Sequence, residues 1–271
     1  MIAGQVPAAQ AETDRSSGQV TTAALLHWLQ QQLSVSAFKD YCPNGLQVEG
    51  KPVIRRILTA VTASEAALRE AADWGADALL VHHGWFWRGE DPVVRGTRRT
   101  RLRLALEQEL NLIAYHLPLD AHEQWGNNAQ LARVLGLTPL PAPEGRCGPD
   151  GLIWLGQAAG VDTLGALGQQ VSDRLDRQAQ VIGDASQPVH RIAWCTGAAQ
   201  SMLQAAIDAG ADAFITGEIS EPTVHLARES GVGFISAGHH ATERYGVKAL
   251  GEAIAAQFGV SVRFVDLDNP V

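Results

Sequence analysis

The sequence predicts an α/β protein of two pseudo-symmetric lobes, each a mostly parallel sheet flanked by helices, facing one another across a cleft. Three observations carry this. Short apolar runs with β-branched residues alternate with helix-period segments along the chain. The tetrapeptide Gly75-Ala-Asp-Ala78 recurs as Gly210-Ala-Asp-Ala213, an offset of 135 (210 − 75) that also aligns Leu68 with Leu203 and Ala71 with Ala206. Further on, His116 and Asp120 align with His239 and Glu243 at an offset of 123 (239 − 116). The first half therefore holds extra residues between the two blocks, and the loop "WFWRGEDPVVRGTRRTR" accounts for them.

Residues 1–18 lack the basic start and apolar stretch of a secretory signal and read as a disordered leader. Lobe one then spans about 19–136. Thr22–Leu33 is an apolar-periodic helix, "PNGLQVEG" a turn with a short strand, and Ile54–Val61 a strand. A helix over Glu65–Trp74 follows, with Ser64 as its N-cap and Gly75 as its stop. "ALLVHH" is a strand, Thr100–Leu110 a helix, "LIAYHL" a strand and Asn128–Leu135 a helix. Lobe two, about 137–271, repeats the grammar. "RIAWCTG", "AFITGE" and "GFISAG" are strands, separated by helices at Gln200–Ala209 and Pro222–Glu229. A long helix over Thr242–Phe258 and the strand "VSVRFVDL" close the chain.

Composition narrows the function classes. A net charge of −8 argues against nucleic acid or an anionic membrane surface as the main partner. No apolar run approaches the length of a membrane-spanning helix. Three widely spaced cysteines (Cys42, Cys147, Cys195) form neither a disulfide framework nor a CxxC site, which suits a reducing cytoplasm.

Four of the nine histidines, His82, His83, His116 and His239, end apolar strands. One such histidine alone reads best as a hydrogen-bonded core side chain. Here carboxylates accompany them in matching places, as His116-x-x-x-Asp120 and His239-His240-x-x-Glu243. Imidazole plus carboxylate is the ligand set of zinc, manganese and iron(II), and burying so many ionisable groups unpaired is costly. Neighbours on a strand point to opposite faces, so His82 and His83 would reach two different ions. Residues four apart share a helix face, so His239 and Glu243 converge if a helix begins there, while His240 lies off that face. Asp120, after "HLPLD", supplies a carboxylate able to bridge two ions. The expected centre is thus two divalent ions (Zn, Mn or Fe) held by His82, His83, Asp120, His239 and Glu243.

"LLVHHGWFW", "YHLPLDAHEQWGNNAQLA" and "TGEISEPTVHLARESGVGFISAGHHATERYGVKALGE" closely resemble the GTP cyclohydrolase I type 2 homolog family, the NIF-three-like dinuclear-metal proteins. "DYCPNGLQVEG" matches that family's opening motif, and the resemblance covers roughly residues 20 to 271 in the short bacterial form. It implies a homohexameric toroid and places the family's metal ligands on the same five residues. It also sets His116 beside the metals, where two roles are open: general acid or base, or a group orienting Asp120. Glu218, the counterpart of His83 in the repeat, is either catalytic or a holder of a ligand histidine.

Two further segments admit two readings each. Trp85-Phe86-Trp87 either stacks a purine or packs lobes or subunits. Arg95, Arg98, Arg99, Arg101 and Arg103 either receive a phosphate-bearing substrate or form a solvated or subunit-contacting face. The expected function is a metal-dependent hydrolase of a nucleotide or phosphorylated small molecule, by resemblance GTP cyclohydrolase-like. The alternatives are a non-catalytic metal-binding assembly protein and a dinuclear phosphoesterase.

Overall fold

The computed structural model describes residues 18–271; the expected leader, apart from Gly18, lies outside them. Strand β1 (Val20–Thr21) leads into helix α1 (Thr22–Gln32), whose first turn is capped by the Thr21 hydroxyl accepting from the Ala24 amide at 3.2 Å. Then come β2 (Gly45–Val48), β3 (Val53–Ile54), which pairs with β1, and β4 (Arg56–Thr62). Helix α2 (Glu65–Trp74) has Ser64 as its N-cap and left-handed Gly75 (φ 69°) as its stop. Strand β5 (Ala78–His83), helix α3 (Gly96–Glu107), strand β6 (Asn111–Ala114) and helices α4 (Leu117–Ala121) and α5 (Asn127–Leu135) complete the first half.

The second half runs β7 (Leu137–Pro139), β8 (Arg146–Cys147), β9 (Ile153–Ala158), α6 (Leu164–Leu175), β10 (Gln180–Ile182) and β11 (Ile192–Trp194). It continues through α7 (Leu203–Asp208), β12 (Ala213–Thr216), α8 (Glu221–Ser230), β13 (Gly233–Ser236), α9 (His239–Phe258) and β14 (Ser261–Phe264). The strands form a five-stranded sheet in the order β14-β4-β5-β6-β2 and a seven-stranded sheet in the order β10-β13-β12-β11-β9-β7, with β8 on β9. The first is parallel except where β2 meets β6. The second is parallel only in its centre, β11-β12-β13, and its remaining pairings are antiparallel.

The repeated tetrapeptide has a structural cause. One carboxylate oxygen of Asp77 accepts from the Arg55 and Arg56 amides at 2.8 and 3.0 Å, fastening the start of β4. Asp212 does the same for the His190 and Arg191 amides, at 2.8 Å each, ahead of β11. The registers agree as well: Ile57 lies opposite Ala78, and Ile192 opposite Ala213.

Three elements differ from expectation in ways that matter for the site. Strand β6 stops at Ala114, because the His116 amide is taken by the Asn44 side chain at 2.7 Å and the chain turns into α4. Helix α9 begins three residues early, at His239, behind left-handed Gly238 (φ 98°). The closing strand, expected in the second lobe, pairs in parallel with β4, Val262 opposite Ile57, and so finishes the first sheet. The reason is α9. Its apolar face (Val247, Leu250, Ile254, Phe258) packs with Leu25, Leu29, Ile57 and Leu80 in the core under the first sheet. Each such buried aliphatic side chain contributes about 1.5–3 kcal/mol, and that carries the chain back across. Among the described residues no helix is long and apolar enough to cross a membrane.

Candidate metal centre

The polar groups gather beyond the carboxyl ends of parallel strands, where open α/β sheets keep their crevices. His82 and His83 end β5, His116 follows β6, Glu218 follows β12, and His239 follows β13 as the first residue of α9. His82 is fully buried. Its Nδ1–H donates to the Tyr115 carbonyl at 2.9 Å, which turns Nε2 towards Asp120 Oδ1 and Glu243 Oε1, both at 3.4 Å. His83 Nε2 lies 3.2 Å from the other oxygen, Glu243 Oε2, and His239 Nε2 lies 3.1 Å from that same atom.

All five expected ligands therefore come together, as two groups that share Glu243: His82, Asp120 and Glu243, and His83, His239 and Glu243. Within each group the candidate ligand atoms lie within 4.8 Å of one another. His82 faces one oxygen of Glu243 and His83 the other, while the two histidines also lie together with His116 in a further group of candidate ligand atoms. Glu243, not Asp120, faces both groups, because starting α9 at His239 puts Glu243 one turn further on, directly over it. Asp120 is fixed on one side by Asn127 Nδ2 at 2.8 Å and Thr196 Oγ1 at 3.2 Å. Close packing protects the carboxylate: a Cβ at Gly197, itself left-handed at φ 70°, would overlap Glu243 Oε1. His240 points away and pairs with Asp266 at 2.7 Å.

Electrostatics follow from burial and crowding. Burial opposes a charge on His82, but Asp120 and Glu243 outweigh it and raise its pKa to about 10. His239 is likewise raised to about 9, against burial, by Glu243 and Glu218. Burial and the neighbouring imidazoles instead hold His83 down to about 3 despite Glu243. Burial pushes Asp120 up, whereas the histidines hold Glu243 well below the carboxylate range against its burial.

Two residues of uncertain role acquire defined partners. Glu218 accepts from His239 Nδ1–H at 2.7 Å and so holds a ligand candidate. His116 donates from Nδ1 to Asp40 at 2.7 Å, while its ring lies 5.1 Å from that of His82 and 5.8 Å from that of His83. It is thus held by Asp40, and the orienting of Asp120 falls to Asn127 and Thr196. Asp40 is the important residue the sequence reading passed over. It is the first letter of "DYCPNGLQVEG" but has no ligand-like spacing to any histidine. Its carboxylate, almost buried, also accepts from the Tyr41 and Leu117 amides and from Asn44. Burial would raise its pKa, yet these bonds and His116 bring it down to about 2.

A cavity of about 630 Å³ opens onto both groups, walled by Tyr41, Trp87, Leu117 and Met202 among others. The tryptophan–phenylalanine segment divides. Trp85 is core, donating from Nε1 to the Ala63 carbonyl at 2.9 Å. Phe86 is exposed with a left-handed backbone (φ 64°). Trp87 meets the His116 ring edge to face at 4.9 Å and lines the cavity. Cys195 also reaches the cavity, and burial, with Asp120 and Glu243 nearby, holds its thiol well above the usual range.

The chain is similar to known proteins over nearly its whole length. The curated GTP cyclohydrolase 1 type 2 homolog of Pseudomonas aeruginosa is 48% identical over 251 residues, covering 93% of this chain and 99% of the relative. The homolog of the same name from Neisseria meningitidis serogroup B is 50% identical over 245 residues, or 90% and 97% of the two chains. Among solved structures, the structural-genomics protein ybgI, of unknown function, superposes with a TM-score of 0.88 at 46% identity over 93% of this chain and 100% of that one. Reduced HcgD from Methanocaldococcus jannaschii shares the fold, with a TM-score of 0.78 at 20% identity over 93% of this chain and 99% of that one. The profile of Duf34/NIF3 (NGG1p interacting factor 3) matches residues 20–270, and the chain belongs to that family.

Proposed function

We propose that the chain holds two divalent ions, one at His82, Asp120 and Glu243 and one at His83, His239 and Glu243, and hydrolyses a nucleotide or other phosphorylated small molecule beside them. The observation that carries this reading is Glu243. It is a buried carboxylate whose two oxygens face two separate histidine groups. Its Oε2 lies 3.1 Å from His239 Nε2 and 3.2 Å from His83 Nε2 without a well-formed hydrogen bond, and His82 Nε2, buried beside it, likewise makes none among the described residues. Orphaned buried polar atoms are expensive, and a shared cation site accounts for both. Mixed imidazole and carboxylate donors suit zinc, manganese or iron(II). Such ions would supply Lewis acidity and a water of lowered pKa.

The chain's own residues do the rest. The Tyr115 carbonyl and Glu218 fix the Nδ1–H tautomers of His82 and His239, leaving Nε2 of each for the centre. Asp40 holds the proton of His116 at Nδ1, which leaves Nε2 as the base or acid beside the cavity. Trp87 closes one side of His116 and limits water there. The names of the curated relatives favour GTP as the first compound to try.

The test loads the purified chain separately with Mn, Zn and Fe(II), counts ions per chain, and offers GTP and a panel of phosphoesters. Two ions per chain and turnover abolished by Asp120→Asn support the reading. Two ions with no turnover under any metal would favour a metal-binding assembly protein instead. The exposed Phe86, Val93 and Val94 favour self-association, and a homohexamer, measurable by mass in solution, is part of the proposal.

A further inference from the structure

The five arginines of the Arg95–Arg103 segment are not equivalent. Arg95 lies 3.3 Å from Asp91, Arg98 2.6 Å from Glu90, and Arg103 3.9 Å from Glu107, while Arg99 is exposed. Arg101 differs from all of them. Its side chain lines both the cavity over the metal-ligand groups and a neighbouring cavity of about 340 Å³ bordered by Trp85, Phe86 and Leu102. Its Nε is buried and has no hydrogen-bond partner among the described residues. Glu90, the carboxylate that borders both cavities with it, is engaged by Arg98.

A guanidinium with an unanswered buried donor lacks an acceptor, and its planar fork matches the paired oxygens of a phosphate or carboxylate. We propose that Arg101 anchors an oxyanion subsite at the junction of the two cavities, and that the molecule entering the site carries a phosphate held there. The remainder of that molecule would then extend past Trp87 towards His83 and His116, which line the same cavity. Only this last orientation rests on the proposed metal hydrolysis. The subsite itself stands on Arg101 and the two cavities.

Equilibrium dialysis with radiolabelled pyrophosphate, on chelator-treated and on metal-loaded full-length chain, tests it, with metal content measured alongside. Pyrophosphate should bind the metal-free chain saturably. Arg101→Gln should weaken that binding about tenfold, Arg101→Lys should retain part of it, and Arg103→Gln should leave it unchanged. Competition by acetate as effective as competition by phosphate would replace phosphate with a carboxylate as the group held and overturn that part of the proposal. No saturable binding to the natural chain, undiminished binding by Arg101→Gln, or an equal loss in Arg103→Gln would overturn the subsite. A chain that binds no metal but still loses pyrophosphate with Arg101→Gln would sink the metal reading and leave the subsite standing. Matching melting temperatures, with Arg101→Lys as the milder variant, separate lost binding from lost folding.

Discussion

Glu218 and His239 are joined by a 2.7 Å hydrogen bond from the imidazole Nδ1, and this leaves the Nε2 of His239 facing Glu243. The two residues come from the ends of different parallel strands, so the bond also ties β12 to the start of α9. Removing it frees the ring to rotate and to change tautomer. Glu218→Ala should lower metal affinity about 10–100-fold while the fold persists. A competitive titration against a metallochromic chelator, with circular dichroism as control, reads this. Unchanged affinity would show that Glu218 does not orient the ligand.

The three histidines nearest Glu243 predict an unusual pH profile for the metal-free chain. His82 and His239 have folded values of about 10 and 9, above the ordinary 6.5. Their stabilisation is therefore complete below pH 6.5 and disappears as pH rises through about 9 and 10. His83, held down to about 3, acts in the opposite sense, and its contribution fades as pH falls from 6.5 towards 3. From these groups, stability without metal should peak near pH 6.5 and decline on both sides. Metal must displace the protons on His82 and His239, so metal affinity should climb with pH. Denaturant melts at several pH values with and without Zn check the first point. Calorimetry in buffers of different ionisation enthalpy checks proton release.

Asp40 gathers His116, Asn44 and two backbone amides around one carboxylate. Its value of about 2, below the ordinary 3.8, means that it stabilises the fold above pH 3.8 and ceases to do so as pH falls through about 2. Asp40→Asn should cost about 1–3 kcal/mol at neutral pH, shrinking in acid, with the ion count per chain intact. An ion count that falls with it would instead make Asp40 part of the metal site.

The two tryptophans flanking Phe86 should respond differently to truncation. Trp85→Ala removes a core ring and should cost about 3–5 kcal/mol in urea denaturation. Trp87→Ala should cost far less and instead alter substrate affinity or turnover, because its ring covers His116. Equal destabilisation by both would make Trp87 merely structural.

Much of this was legible because the signals were local and repeated. The Gly-Ala-Asp-Ala block marks a left-handed turn and a carboxylate that fastens the next strand, and both halves need it. His82, His83 and His239 stood after apolar strands, and Asp120 and Glu243 followed His116 and His239 by four residues, a pattern that sequence shows directly. What escaped depends on long-range geometry. Asp40 meets His116 across 76 positions, and nothing near Asp40 announces it. Strand β14 looked like the end of the second lobe because its sequence says only that it is a strand; its partner is set by where α9 delivers it. Which carboxylate spans the two histidine groups likewise turned on three residues at the start of one helix.

Helix α9 starts with His239 and Glu243 beyond the carboxyl end of β13 in one sheet and ends by feeding the last strand of the other. A break in the chain between α5 and β7 would consequently not yield two autonomous halves. The front fragment would lack an edge strand and the helix that covers its sheet, and the rear fragment would carry them unpartnered. His82, His83 and Asp120 would reside on one piece, His239 and Glu243 on the other. Ion capture would then become a reporter of fragment complementation, so the arrangement that resembles a duplicated unit behaves as one indivisible machine.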